Sequence, residues 1–351
     1  MSRRMRTTAV ALSLLAGIAL VTHSYHPIPH IPEIPKFQIV KPKTAPHSIP
    51  RKIWQTWRDP PQGLSDDYRD WSKTWSQKNP DYRYELLTDG TAMTFVQTTF
   101  HNRPDIIDTY IRTEDVILRA DYTRYLALLA EGGTYVDMDT DCTRPIDSWI
   151  PLEYVNRTSF VVGVEYDAMD DGIRSDFEDR VQLCQWAFMS KPGNKVLEHI
   201  VNRVTKALQN LAPDGGKIEC GSNDDVLHIT GPRIFSHAIL EALTEQMKRN
   251  ITEDTLTKLT GPMLIGDVLI LPVSAFGSGQ AHSNSKGENN EEQLLWHHFN
   301  GFWGWKDAHD GKINREKEAK EKAEKEKAEQ EEKEKSKAAD PAQPLEANHG
   351  D

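Results

Sequence analysis

The sequence predicts an α/β fold in which helices cover a mostly parallel sheet, and one stretch of the chain carries most of that prediction. Apolar residues recur on one side of a helix over 114–130, and Gly132 and Gly133 then permit the positive-φ backbone that ends a helix. The next residues, 134–136, are strand-prone. A helix followed at once by a strand is typical of α/β sheets, in which functional groups gather where the strands end.

The N-terminal residues predict a membrane anchor. Three arginines lie within 1–6, and an uncharged run extends over 7–21. As a helix this run would be about 22 Å long, which is short for a membrane span. Because positive residues before an apolar run favour a cytosolic N-terminus, we expect a cytosolic tail over 1–6, a signal-anchor over 7–21 and a lumenal remainder. The alternative is a signal peptide that is cleaved.

Composition divides the rest of the chain into a stem, a globular domain and a charged tail. Residues 22–48 are rich in proline, which predicts an extended stem. Residues 49–312 have the composition of a folded domain, and Asn156 and Asn250 begin glycosylation sequons that fit a lumenal location. Residues 313–351 are rich in Glu and Lys without an apolar stripe, which predicts a charged, solvated C-terminal helix outside that domain.

Charge and cysteine content exclude some functions. The net charge is −11, and nucleic-acid binding needs clustered Lys and Arg, so no nucleic-acid partner is expected. The three cysteines Cys142, Cys184 and Cys220 allow at most one disulfide within the chain, and the sequence does not say which pair would form it. The sequence has no Cys-x-x-Cys pattern of the kind that binds zinc.

Asp137 and Asp139 predict a divalent-metal site at the end of the strand 134–136. Residues two apart on an extended chain project from the same face. Two carboxylates there suit a hard cation that keeps coordination positions free for phosphates, which indicates a metal–diphosphate site for a nucleotide-sugar. The alternative is an acidic loop or a helix N-cap, because the pattern is short and common.

Asp121 and Arg124 lie three residues apart on the preceding helix and are therefore neighbours on its surface. A helix packed against the strand brings one of its ends beside the two aspartates. In the functional interpretation, Arg124 contacts phosphate or sugar oxygens and Asp121 accepts hydrogen bonds from sugar hydroxyls. A purely local ion pair is the alternative.

With these residues the chain resembles glycosyltransferase family 32, and within it the fungal α-1,6-mannosyltransferases and their mannan-polymerase relatives. The family's closing motif usually reads Gly-Ser-Trp, whereas Phe302 replaces the serine here, so one hydroxyl near the metal or phosphate is missing. The segments that carry the resemblance are 49–57, 79–87, 119–125, 132–139, 185–193, 230–232, 267–272 and 297–303.

The resemblance implies a GT-A type, Rossmann-like nucleotide-sugar fold and a metal-dependent enzyme. It implies transfer of mannose from GDP-mannose to an N-linked glycan in α-1,6 linkage, with Mn²⁺ as the cation and retention of configuration. The implied location is the Golgi membrane, single-pass type II, with the catalytic domain in the lumen. The sequence shows no obvious catalytic nucleophile, so double displacement and same-face attack both stay open.

The resemblance also implies roles for individual residues around the metal. Trp54 would stack on the nucleotide base, with core packing as the alternative. Tyr135 would contact the ribose or pack in the core, and His297, rather than His298, would join the two aspartates as the third metal ligand. Further positions in the donor or acceptor pocket would be Trp303, Gln185, Trp186 and the loop 230–232.

Two alternatives to this function stay open in the sequence. Another branch of the family mannosylates inositol phosphoceramide, although such proteins usually add hydrophobic spans where this chain has a charged tail. A non-catalytic structural subunit of a mannan-polymerase complex is the other alternative. The intact aspartates and arginine favour an enzyme over such a subunit, whereas Phe302 slightly favours the subunit.

Overall fold

The computed structural model describes residues 48–220 and 223–300, without the side chains of 223–225, and two isolated positions in the charged tail. Within these residues no helix is both long enough and apolar enough to cross a membrane. The predicted anchor at 7–21, nearly all of the stem and tail, and Trp303 lie outside the described residues.

The described chain alternates helices and strands, which confirms the predicted α/β class. Its strands are β1 (Lys52–Trp57), β2 (Arg83–Thr88), β3 (Gly133–Val136), β4 (Thr140–Cys142), β5 (Phe160–Asp167), β6 (Val181–Ser190), β7 (Met263–Ile265), β8 (Val268–Leu271) and β9 (Leu295–His297). Its α-helices are α1 (Asp66–Lys78), α2 (Asp89–Thr99), α3 (Pro104–Arg112), α4 (Val116–Glu131), α5 (Lys195–Leu211), α6 (Asn223–Ile229), α7 (Pro232–Met247) and α8 (Val273–Phe276).

Seven of these strands form one sheet in the order β2-β1-β3-β6-β5-β8-β7. Among the described strands of this sheet, β1 pairs in parallel with β2 and β3, and β5 with β8. The other three pairings are antiparallel, so the prediction of a mostly parallel sheet is correct for only half of the pairings. Because β3 and β5 both run antiparallel to β6, strands β1, β2, β3, β5 and β8 all end at the same edge of the sheet. Ligands bind at such an edge in open α/β sheets.

Helix α4 and strand β3 form as the sequence predicts. The Asp115 side chain caps the helix by accepting the Ile117 N–H at 3.0 Å. The helix ends at Gly132, which has a φ of 65°. Gly133 begins β3 with a φ of 111°, and a Cβ there would lie 2.6 Å from the Lys52 carbonyl oxygen on β1. Glycine at both positions therefore allows the helix to stop and the strand to lie close against β1.

Apolar side chains are buried on both faces of the sheet. Helices α4, α5 and α7 pack together over one face, and α1 packs against β4 on the other side. Within the described residues no disulfide links the three cysteines. The first face buries Tyr122, Leu126, Phe188, Ile200 and Phe235, and the second buries Trp75, Trp149, Leu269 and Phe276.

Candidate active site

The two aspartates of the Asp-x-Asp motif lie in a tight turn directly after β3. The Asp137 N–H donates to the Trp186 carbonyl on β6 at 2.9 Å. The Asp137 carbonyl accepts from the Gln55 amide at 2.9 Å and from the Thr140 hydroxyl at 2.6 Å. Because three neighbours hold this backbone, the turn is fixed at the edge of the sheet where the strands end.

A two-stranded ribbon brings His297 to the aspartates, since β4 and β9 pair with Thr140 opposite His297. One ligand atom from each of Asp137, Asp139 and His297 lies within 4.8 Å of the other two. Two carboxylate oxygens and one imidazole nitrogen suit Mn²⁺ and related divalent cations. The Nε2 atom of His297 faces the carboxylates, 3.2 Å from Asp139 Oδ1, whereas its Nδ1 atom is buried without a hydrogen-bond partner among the described residues.

His298 turns to the other side of the chain. Its Nε2 lies 3.0 Å from Asp141 Oδ2, and its ring stacks on Trp71 with 3.8 Å between the ring centroids. Successive side chains of an extended segment alternate in direction, which separates the two histidines. Of the two, His297 is the one placed with the Asp-x-Asp carboxylates.

Arg124 and Asp121 form a buried pair on α4 that extends to the predicted metal site. Arg124 Nη2 lies 2.7 Å from Asp121 Oδ1, and Nη1 lies 3.5 Å from Asp137 Oδ1. Asp121 is 4% exposed and Arg124 6%. Burial raises the pKa of Asp121 to about 6, although Arg124 opposes the rise. The local ion pair therefore exists, and it also directs a positive charge at the Asp-x-Asp motif.

One donor of Arg124 is unpaired among the described residues. Its Nε atom is buried and has no hydrogen-bond partner in the part of the chain that the structure describes. A buried guanidinium N–H without a partner is uncommon, and phosphate oxygens are among its best acceptors. Arg124 therefore fits the predicted contact with phosphate or sugar oxygens.

Arg124 and Thr230 hold the Asp121 carboxylate. The Thr230 hydroxyl donates to Asp121 Oδ2 at 2.9 Å, while Arg124 pairs with Oδ1. The Tyr125 hydroxyl contacts Gln185 Oε1 and lies 2.7 Å from the Thr230 carbonyl oxygen. Arg124 and Thr230 each use one of the roughly two acceptor positions on their oxygen, so Asp121 fixes Arg124 in place.

Tyr135 supports Asp137 rather than facing the cleft. Its hydroxyl donates to Asp137 Oδ1 at 2.6 Å and lies 3.0 Å from the Thr56 hydroxyl. The ring is buried below the Arg124 guanidinium, whose carbon lies 5.0 Å from the ring centroid. Of the two predictions for Tyr135, core packing agrees with this burial and ribose contact does not.

Trp54 is a core residue, which corrects the prediction that it stacks on a base. It is 0% exposed, and its indole N–H donates to the Gly132 carbonyl at 2.9 Å. The Lys52 ammonium lies 3.3 Å from the centre of its ring. Trp57, three residues later, is partly exposed at the end of β1, with its ring 4.5 Å from that of Tyr68. Residues an odd number of positions apart on a strand point to opposite faces. The alternation along β1 could therefore have indicated Trp57, and not Trp54, as the residue that stacks on a base.

The other residues predicted for the pocket surround the site. Thr230 supports Asp121, Gln185 contacts the Tyr125 hydroxyl, and the Trp186 ring lies 4.3 Å from the His297 ring. Sequence reasoning missed Glu165 on β5, whose carboxylate accepts a hydrogen bond from the Trp186 indole N–H at 3.3 Å. No local motif marks Glu165, because only the pairing of β5 with β6 brings it here.

The fold and the site together define a glycosyltransferase of the Asp-x-Asp class, and comparisons with known proteins identify the family. Residues 65–156 match the family model described as "Glycosyltransferase sugar-binding region containing DXD motif". The initiation-specific alpha-1,6-mannosyltransferase of Candida albicans is 31% identical, covering 77% of this chain and 74% of that protein. The chain belongs to this family, glycosyltransferase family 32, as the sequence predicts.

Two further relatives extend the comparison. The initiation-specific alpha-1,6-mannosyltransferase of Schizosaccharomyces pombe is 35% identical over 73% of this chain, which spans 64% of that protein's length. The mannosyl phosphorylinositol ceramide synthase SUR1 of Saccharomyces cerevisiae is 30% identical over 38% of this chain and 33% of that protein.

Proposed function

We propose that the chain transfers mannose from GDP-mannose to a mannose of an N-linked glycan, forming an α-1,6 linkage with retention of configuration. Two relatives are named initiation-specific alpha-1,6-mannosyltransferases. The observation that carries the catalytic part is the convergence of Asp137, Asp139 and His297 beside Arg124. These residues come from three separate parts of the chain, and their grouping at one edge of the sheet fits the GT-A type of nucleotide-sugar fold that we infer.

The residues of the site place positive charge where a leaving diphosphate would bind. A divalent cation, for which Mn²⁺ suits the ligand set, would when bound offset the negative charge on the leaving diphosphate. Arg124 adds a fixed positive charge, and its burial strengthens the interaction with an anion. Tyr135 and Thr230 keep Asp137 and Asp121 oriented, so the site needs little reorganisation during the reaction.

We further infer that the protein works in the Golgi lumen as a single-pass type II membrane protein, anchored through 7–21. Association with mannan-polymerase subunits belongs to the same hypothesis. The full-length protein should stay with membranes after alkaline carbonate washing. Recovery of the native protein in the medium, trimmed just after residue 21, would replace the anchor with a cleaved signal peptide.

A lipid acceptor is the second candidate, because one relative is named a mannosyl phosphorylinositol ceramide synthase. The decisive assay uses the full-length protein in detergent with GDP-mannose and Mn²⁺. A core N-glycan and inositol phosphoceramide are offered in parallel, and the product linkage is analysed. An α-1,6-mannosylated glycan supports the proposal, and transfer only to the lipid overturns it. Transfer to neither acceptor would favour the non-catalytic subunit.

A further inference from the structure

The sequence contains two Asn-x-Thr sequons, and the structure places both of their asparagines on the surface. Asn156 lies in the turns before β5, and Asn250 lies three residues after the end of α7. Both are exposed, and neither side-chain amide has a hydrogen-bond partner among the residues that the structure describes. Asn79 and Asn194, in contrast, are buried and hydrogen-bond the backbone. The amide nitrogens of the two sequon asparagines are therefore accessible for modification.

The turns that hold Asn156 lie at the edge of the sheet opposite the metal site. Strand β5 ends at the edge that carries the Asp-x-Asp turn, so it begins at the other edge, directly after these turns. Strand β8 begins beside it, with Val268 paired to Phe160. The last turn of α7 reaches the same edge, because the Gln246 amide donates to Asp267 Oδ1 at 2.9 Å.

Asn250 is held beside this end of α7. The next residue, Ile251, is buried, and its N–H donates to the Thr244 hydroxyl at 2.9 Å. Asn250 therefore lies near the last turns of the helix, toward the sheet edge that also carries Asn156. A glycan attached at either asparagine would start away from the metal site and leave the cleft open to a large acceptor.

The surface around Asn156 favours a covering group. Val155 directly precedes Asn156 and is 39% exposed, and Leu152, four residues before it, is 90% exposed. Neighbouring exposed aliphatic side chains form an apolar surface that promotes contacts with other proteins. A bulky, solubilising glycan attached beside them would shield that surface.

We propose that Asn156 and Asn250 are both N-glycosylated. At each asparagine, Nδ2 forms a bond to the anomeric carbon of an oligosaccharide, the amide loses one proton, and the lipid diphosphate that carried the oligosaccharide leaves. The inference rests on the proposed lumenal location, where such a lipid-linked donor is present. It adds that the protein itself carries two N-linked glycans, attached at the sheet edge opposite its own metal site.

The test uses the full-length protein made in fungal cells and compares its electrophoretic mobility before and after digestion with an amidase specific for N-glycans. Wild type should shift by two glycans, Asn156→Gln and Asn250→Gln by one each, and the double variant by none. Asn210→Gln is the matched control, because Asn210 is exposed on α5 outside any sequon. Since a sequon requires the hydroxyl, Thr252→Ser should keep the glycan at Asn250 and Thr252→Ala should lose it.

Activity and topology measurements complete the test. Digestion of the native protein should leave the KM for GDP-mannose and for a mannose oligosaccharide unchanged, and a changed acceptor KM would overturn the placement of the glycans. A wild type without any shift, in a domain that external protease cannot reach in sealed vesicles, overturns the inference alone. A shift by one glycan overturns it at the other asparagine. Digestion of the domain by external protease would instead overturn the proposed lumenal location.

Discussion

Asp137 and Asp139 are two residues apart, yet different parts of the molecule hold them. Asp137 accepts a hydrogen bond from Tyr135 at 2.6 Å and lies 3.5 Å from Arg124, and both of these residues are buried in the core. Asp139 Oδ1 lies 3.2 Å from His297, which is 158 residues farther along the chain. One carboxylate is thus fixed by the sheet and helix α4, whereas the other depends on the ribbon of β4 and β9. The two should therefore respond differently to mutation.

Alanine at either aspartate is expected to abolish transfer, since losing a metal ligand removes several kcal/mol of charge stabilisation, or at least about 10³ in rate. The variants should differ in stability. Asp137→Ala removes the carboxylate that accepts from Tyr135 and lies nearest to Arg124 Nη1, and should cost about 1–3 kcal/mol in the free energy of unfolding. Asp139→Ala should cost less.

Chemical denaturation and activity assays on both variants test this prediction, with Asp141→Asn as a control outside the predicted ligand set. Near-normal turnover in a folded Asp139→Ala protein would contradict the interpretation of this group as a metal site. Equal losses of stability would show that the two aspartates are held alike.

Comparing His297→Ala with His298→Ala tests whether the ribbon of β4 and β9 contributes a metal ligand or only packing. His297→Ala should raise the Mn²⁺ concentration for half-maximal activity at least about tenfold, because changes around a metal typically cost that much affinity. His298→Ala should change it far less, since that ring pairs with Asp141 and Trp71. A metal titration of activity measures both. A damaging His298→Ala with a silent His297→Ala would reverse the ligand assignment.

The two tryptophans of β1 differ in the same way, because Trp54 is buried in the core and Trp57 is partly exposed at the end of the strand. Trp54→Ala should lower the free energy of unfolding by about 3–5 kcal/mol, as expected for a large buried side chain. Trp57→Ala should cost little stability but weaken GDP binding about tenfold, because stacking on a base is worth about 1–3 kcal/mol. Calorimetric titration with GDP and thermal denaturation distinguish the two. Unchanged GDP binding in Trp57→Ala would remove that residue from the donor site.

Asp121 should also give the stability of the protein a pH dependence. Its pKa of about 6 in the folded protein exceeds the ordinary 3.8, so the folded state binds this proton more tightly than the unfolded state does. The free energy of unfolding should therefore fall as pH rises from about 4 to about 6, and level off above that. Asp121→Asn should lack this contribution. Identical pH profiles of stability for wild type and variant would contradict the prediction.

Local sequence predicted the parts of the site that are close in the chain. The glycines that end α4, the strand β3 and the Asp-x-Asp turn all follow from residue types within a short stretch, because backbone conformation there is decided locally. The same stretch predicted Asp121 and Arg124 on one helix surface, and their ion pair is present.

Contacts made across strands were harder to predict. Glu165 has no motif, and only the β5–β6 pairing takes it to Trp186. The stacking role of Trp54 came from the resemblance, and alternation along a strand could not test it, because alternation distinguishes two faces but does not say which face is covered. The sheet is also less parallel than predicted, because β6 runs against both of its neighbours, β3 and β5, and no local residue pattern shows that reversal.

The ribbon of β4 and β9 has a consequence for biosynthesis. During translation Asp139 emerges long before His297, so no complete three-ligand site exists on the nascent chain until residue 297 has left the ribosome. Until then the two aspartates alone offer a weaker site. If the three residues bind a cation as predicted, tight binding would begin only once the domain is complete, and its free energy would favour the closed ribbon over its separated strands.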